Sequence, residues 1–123
     1  MAGYYEFKPD MYPRKIWVHI GKDIEKLKTE FDGIEIDDSV DYHGCVFDDV
    51  MRKSDKMLGV LVSFVSRKDM KVGLICHETC HIVDAIEGVL GIEHGGEASA
   101  YLAGWIAGNI DMIRMGKRDF CKV

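Results

Sequence analysis

The sequence predicts an α+β domain, a small and mostly antiparallel sheet packed on helices. Three observations point there. Lys15 to Ile20 alternates with period two, Ile16, Val18 and Ile20 on one side and Trp17 and His19 on the other, which is the pattern of a strand with one buried face. Gly44 to Met51 and Leu58 to Val65 read as two further strands, joined through the polar tip Arg52 to Lys56 as a hairpin. Lys71 to Leu90 and residues 96–115 then carry apolar residues at helical spacing. A chain of 123 residues is one domain with room for a single modest core.

The elements follow in order. Residues 1–14 hold both prolines, Pro9 and Pro13, with three tyrosines, and read as an arm over the surface. Residues 15–65 form a strand, helix and hairpin unit. After the first strand, Gly21 marks its end, and Asp23 to Phe31 places Ile24, Leu27 and Phe31 at helical spacing before Gly33. Residues 34–43 are acidic without clear period, a solvated loop with some strand. They lack the fixed glycine and closing glutamate of a calcium loop. The second hairpin strand is apolar on both faces, so it belongs nearer the centre of the sheet. Residues 66–90 lead into and form the first long helix. In the second, Ala100, Gly104 and Gly108 recur every four residues, a small-residue face expected to press against its neighbour.

The chemistry concentrates in Cys76-His77-Glu78-Thr79-Cys80-His81. Histidines four apart on a helix project from one face about one turn apart, so both imidazoles can reach one metal ion. Glu78 leaves the helix about 100° further round, beside the metal as a base for water rather than on it. Apolar neighbours Val72, Ile75, Ile82, Val83 and Ile86 supply the helix this spacing requires. The two cysteines lie on a different face from the histidines, so a four-ligand structural zinc does not close, and they read as small core residues. The three-residue gap between them also departs from the covalent haem signal.

A catalytic zinc ordinarily takes three protein ligands and a water. Asp84 shares the histidine face, but 77, 81 and 84 span about 10 Å of helix rise, too far for one ion, which suits Asp84 instead to holding an imidazole N–H. Glu87, Glu93 and His94 are further candidates. Glu97 fits best, because it opens the next helix on its small-residue face and the link from Gly88 can return it beside His81. Tyr101, one turn on, is then placed to support Glu97 or polarise a substrate carbonyl; His43 and His94 are the other candidates for that polarising role.

His77-Glu78-x-x-His81 followed by Glu97-Ala98-Ser99-Ala100-Tyr101-Leu102 resembles the gluzincin arrangement of zincin metallopeptidases, most closely small phage- and prophage-type proteins. Tyr101 stands where gluzincins carry a second acidic residue. Glu87 occupies the position of the metzincins' third histidine, but Asp84 replaces their helix-breaking glycine. Cys80 before His81, with His94-Gly95 downstream, is similar to SprT-type zinc proteases, which would make His94 the third ligand. The resemblance implies a minimal zincin-like metalloprotease fold, Zn²⁺ held by His77, His81 and Glu97, Glu78 and Tyr101 as catalytic groups, and a peptide or protein substrate bound at a sheet edge.

Composition narrows the classes. A hydrophobic fraction of 47% and a charged fraction of 30% describe a soluble globular chain. Net charge of −5 argues against nucleic-acid binding, which wants a basic face. No apolar run reaches membrane-spanning length, no leader pattern opens the chain, and four cysteines do not form a disulfide framework, so a cytoplasmic setting is expected. The expectation is a zinc-dependent peptidase. The alternatives are a zincin-fold binding protein without turnover and a structural zinc domain.

Overall fold

A strand apolar on both faces needs a neighbour on each edge and a cover on each side. Met57–Phe64 (β5) is that strand and takes the middle of the sheet. The computed structural model describes residues 3–37 and 42–117 of the chain. Its strands are Tyr5–Phe7 (β1), Lys15–Ile20 (β2), Phe31–Asp32 (β3), Gly44–Arg52 (β4) and β5, in the order β1-β2-β5-β4-β3. All pairs are antiparallel except β2 with β5. The fold is therefore α+β, a five-stranded mixed sheet against two helices, Val72–Leu90 (α1) and Gly96–Arg114 (α2).

Two cores share this sheet. On one face Ile16, Val18, Val60, Val62 and Phe64 meet Ile75, Ile82 and Ile86 of α1 and Leu102, Ile106 and Ile110 of α2. On the other, Trp17, Leu61, Phe47 and Val50 are covered by Tyr4, Ile24, Leu27, Phe31 and Ile34. β2 is consequently buried on both sides, not the one its alternation suggests. The expected helix at 23–31 is a single 3₁₀ stretch, Ile24–Thr29, with Phe31 passing into β3. The expected N-terminal arm is partly sheet. Tyr4 is fully buried, and β1 extends the edge beside β2. Glu6 of β1 accepts hydrogen bonds from Lys15 Nζ, Trp17 Nε1 and Arg52 Nη1 at 2.9, 2.9 and 2.6 Å, tying that edge across the sheet.

Helix ends follow local rules. Gly91 adopts the left-handed conformation at φ 67°, and Ile92 N–H closes on Glu87 O at 2.9 Å, ending α1. Arg67 donates to the carbonyls of Ile113 and Arg114 at the end of α2. No helix among the described residues is long and apolar enough to cross a membrane. Asp38 to Asp41 of the acidic stretch, and residues 1–2 of the expected arm, lie outside the described residues.

β4 carries one irregularity that matters for the site. Phe47 pairs with Leu61 and Val50 with Gly59, so Asp48 and Asp49 together oppose Val60. This bulge lets Phe47 and Val50 both enter the lower core.

At Gly59 the sheet tolerates no side chain. A Cβ there would lie 2.3 Å from Lys15 O and 2.6 Å from the Trp17 ring. Gly59→Ala is expected to destabilise the protein by about 2 kcal/mol or more, read as a fall in the urea midpoint at unchanged m value.

Candidate metal centre

α1 lies against the β4 side of the sheet, and its apolar stripe fixes its rotation. With Ile75, Ile82, Val83 and Ile86 inward, His77 and His81 face an open cleft of about 510 Å³ between α1 and β4. Gly44, Cys45, Val46 and Asp48 form its far wall, and Asp84 continues the helix side. The imidazole rings stand edge to face, centroids 4.9 Å apart. Both histidines are exposed to solvent, so their ring nitrogens remain available.

Glu78 is different. It lines the same cleft but is only 3% exposed, wedged under Gly44, where a Cβ would come within 3.2 Å of Glu78 Cγ. Its Oε1 lies 3.8 Å from His77 Nε2. Its Oε2 is buried and has no hydrogen-bond partner among the described residues. Burial pushes this carboxyl above the usual range, and the positive potential of His77 and His81 holds it partway back.

A second buried carboxylate on the same helix shows the opposite state. Glu87 accepts from His94 Nδ1 at 2.7 Å and from the Ser99 hydroxyl. Ser99 Oγ in turn accepts from Gly95 N–H at 2.9 Å. Burial alone would raise Glu87, but these donors outweigh it and hold the carboxyl below its usual range, while His94 is raised by its hydrogen bond to Glu87. The network latches the α1–α2 link onto both helices. Asp84 Oδ1 lies 3.5 Å from His94 Nδ1. Among the described residues, Asp84, Glu87 and His94 are the trio whose possible metal-ligating atoms fall within 4.8 Å of one another. Both Glu87 oxygens are already engaged there, so a cation would have to displace an existing partner.

The structure thus brings together His77, Glu78 and His81 of the expected site, and not the rest. Glu97 is exposed in the first turn of α2 and does not line the cleft. Tyr101 is 76% exposed and lines a separate groove with Met11, Tyr12 and Trp105. The physical reason is the packing face of α2. Ser99, Leu102, Ile106, Ile110 and Ile113 turn inward, leaving Ala100, Gly104 and Gly108 exposed, and Glu97 and Tyr101 turn outward with them. His94 does not join the histidine pair either; it belongs to the latch. Cys76 and Cys80, expected in the core, are exposed free thiols. His43 sits apart, with its Nδ1 3.5 Å from Asp69 Oδ1.

Sequence reasoning missed the β4 wall, above all Asp48. The signal was present in Phe47-Asp48-Asp49-Val50, where two apolar residues three apart break a strand's period of two. It also missed a chain running from the core to the surface, in which buried His19 joins Ser63 Oγ at 2.8 Å and Asp23 Oδ1 at 2.7 Å. That connectivity suits nucleophilic catalysis, but Ser63 is fully buried and lines none of the clefts described. It ties the 3₁₀ stretch to the central strand.

Comparison with protein-family models, with curated proteins and with solved structures found no match.

The latch gives a pH signature. His94's folded value is raised, so its pairing energy is fully present below the unfolded histidine value and is lost as pH rises through the folded one. Glu87's is lowered, so its share is present above the unfolded carboxyl value and is lost only in stronger acid. His94→Ala should therefore cost more stability at about pH 5.5 than at about pH 9, measured by urea unfolding at both.

Proposed function

We propose that this protein is a zinc-dependent peptidase, with His77 and His81 as metal ligands and Glu78 as general base. The observation that carries the reading is the Glu78 carboxylate: buried, facing the cleft beside two exposed imidazoles, with one oxygen unpartnered. An unpaired buried acceptor costs about 1–3 kcal/mol, and a residue retained at that cost suits a group that receives a proton or a polar ligand. Glu87 is the internal comparison, because a buried carboxylate serving structure is fully hydrogen-bonded.

The donors fit zinc in kind. Two imidazoles one helical turn apart are a common half-site, and Asp48, on the opposite wall of the cleft, is the carboxylate from which a third ligand would come. When bound, the ion supplies Lewis acidity toward a water and a substrate carbonyl. The chain's own contribution is proton transfer. Glu78 takes a proton from water and returns it to the leaving nitrogen, and its raised affinity for protons brings it closer to neutral pH than a solvated carboxylate. Gly44 keeps β4 close above it, limiting the water that reaches the carboxylate. The substrate is an extended peptide along β4, whose main-chain groups offer hydrogen bonds with little sequence demand. Three free thiols among the described residues, two exposed on α1, accord with a reducing, cytoplasmic setting.

Elemental analysis should find about one zinc per chain, lost in His77→Ala and His81→Ala but retained in Glu97→Ala. Loss of zinc in Glu97→Ala alone would restore the gluzincin ligand set and overturn the cleft assignment. Glu78→Gln should retain zinc and fold while lowering peptide hydrolysis by about 10²–10⁴-fold. Equal turnover by parent and variant excludes Glu78 as the base, and absence of turnover in both favours a binding protein.

A further inference from the structure

The outward face of α2 is built unlike a solvent face. A helix that packs on one side ordinarily turns charged side chains to water on the other. From Ala98 to Ile110 α2 carries none, in a chain whose residues are 30% charged. The residues exposed there are Ala98, Ala100, Tyr101, Gly104, Trp105 and Gly108. Tyr101 is 76% exposed and Trp105 40%, and Met112 and Met115 continue the exposed apolar surface at 40% and 45%.

Gly104 and Gly108 supply a second observation. Glycine in a helix interior costs stability against alanine, and its use is to let another chain come close. Within the molecule nothing does. A Cβ at either position would meet no neighbouring atom within 4 Å among the described residues. The close approach that these glycines permit can only be made from outside.

We infer that this face is covered by α2 of a second copy of the chain, running antiparallel about a twofold axis at Gly104. The face is complementary to itself. Ala100 and Gly108 stand four residues either side of Gly104, so the twofold sets Ala100 of each copy against Gly108 of the other and brings the backbones together. Tyr101 and Trp105 of both copies then fall on the same side of the seam, where their rings cover one another. The ends of the helix differ in sign. Glu93 and Glu97 stand at its start, and Arg114 and Lys117 at its end, with Asp111 paired to Arg114. An antiparallel copy sets each end against its opposite, whereas a parallel one sets like against like. The exposed parts of Met11, Tyr101, Trp105, Met112 and Met115 amount to roughly 600–700 Å² per copy, close to the roughly 800 Å² that each partner of a stable interface buries. The six residues after Lys117 reach at most about 20 Å, and Ala98 lies about 24 Å along the helix from Arg114, so they do not span the face. None of this depends on the peptidase reading.

Sedimentation equilibrium of the full chain between about 1 and 300 µM should show monomer and dimer in exchange. Gly104→Glu places two carboxylates at the axis and should weaken the dimer by about 100-fold or more. The urea midpoint of the dilute protein should not fall, because the monomer leaves that position open. Glu97→Lys alone should weaken association about fivefold, and adding Lys117→Glu should restore it. A monomer throughout the range overturns the inference, as does a dimer that Gly104→Glu leaves intact. Failure of the second swap to rescue the first overturns the antiparallel seam. If a chain ending at Lys117 dimerises where the full chain does not, the last six residues are the cover and the inference fails.

Discussion

A sheet that is apolar on both faces has to be covered twice, and this constraint organises the molecule. Trp17 and Leu61 point one way while Val18, Val60 and Val62 point the other, all with negligible exposure. Burying a large apolar side chain contributes about 1.5–3 kcal/mol, so neither face can be left to solvent. The two helices cover one side, and the 3₁₀ stretch with β3 covers the other. What remains open is a rim, and the histidine pair looks out over it.

The same constraint explains how α1 combines rigidity with chemistry. Its inward stripe is locked by the sheet, so the direction of His77 and His81 is set by Ile75, Ile82 and Ile86. Glu78 lies at the border between core and cleft and inherits properties of both. Glu87, nine residues on, sits at a comparable depth but next to the polar link between the helices. Depth is thus shared and partners are not, which is why burial raises one carboxyl while hydrogen bonds lower the other.

Much of this was legible in the sequence. Period two marked β2, and a run apolar on both faces marked β5 as interior, because those patterns report burial directly. The helix, its histidine face and the glutamate beside it followed from spacing alone. The second helix misled because it carries two stripes. Ala100, Gly104 and Gly108 advertise close approach, whereas Leu102, Ile106, Ile110 and Ile113 advertise area, and area decides. Choosing the wrong stripe carried Glu97 and Tyr101 toward the metal helix when they turn away from it. The 3₁₀ stretch and the buried Tyr4 were hidden for another reason: a second core on the far side of the sheet is a tertiary fact that no local period encodes. The β4 wall was obscured by the bulge, which breaks the alternation on which strand reading depends.

That bulge sets the phase of the strand. From Val50 to Arg52 the side chains keep time with the hairpin turn; from Gly44 to Phe47 they run in the opposite beat, because Asp48 and Asp49 share one partner. Removing either aspartate would merge the two beats. With the hairpin end held, Phe47 would swing toward the helices, Val46 away from them, and the wall of the cleft would turn inside out. The geometry of the site is therefore encoded partly as a count of residues, and a single deletion remote from both histidines is enough to rewrite it.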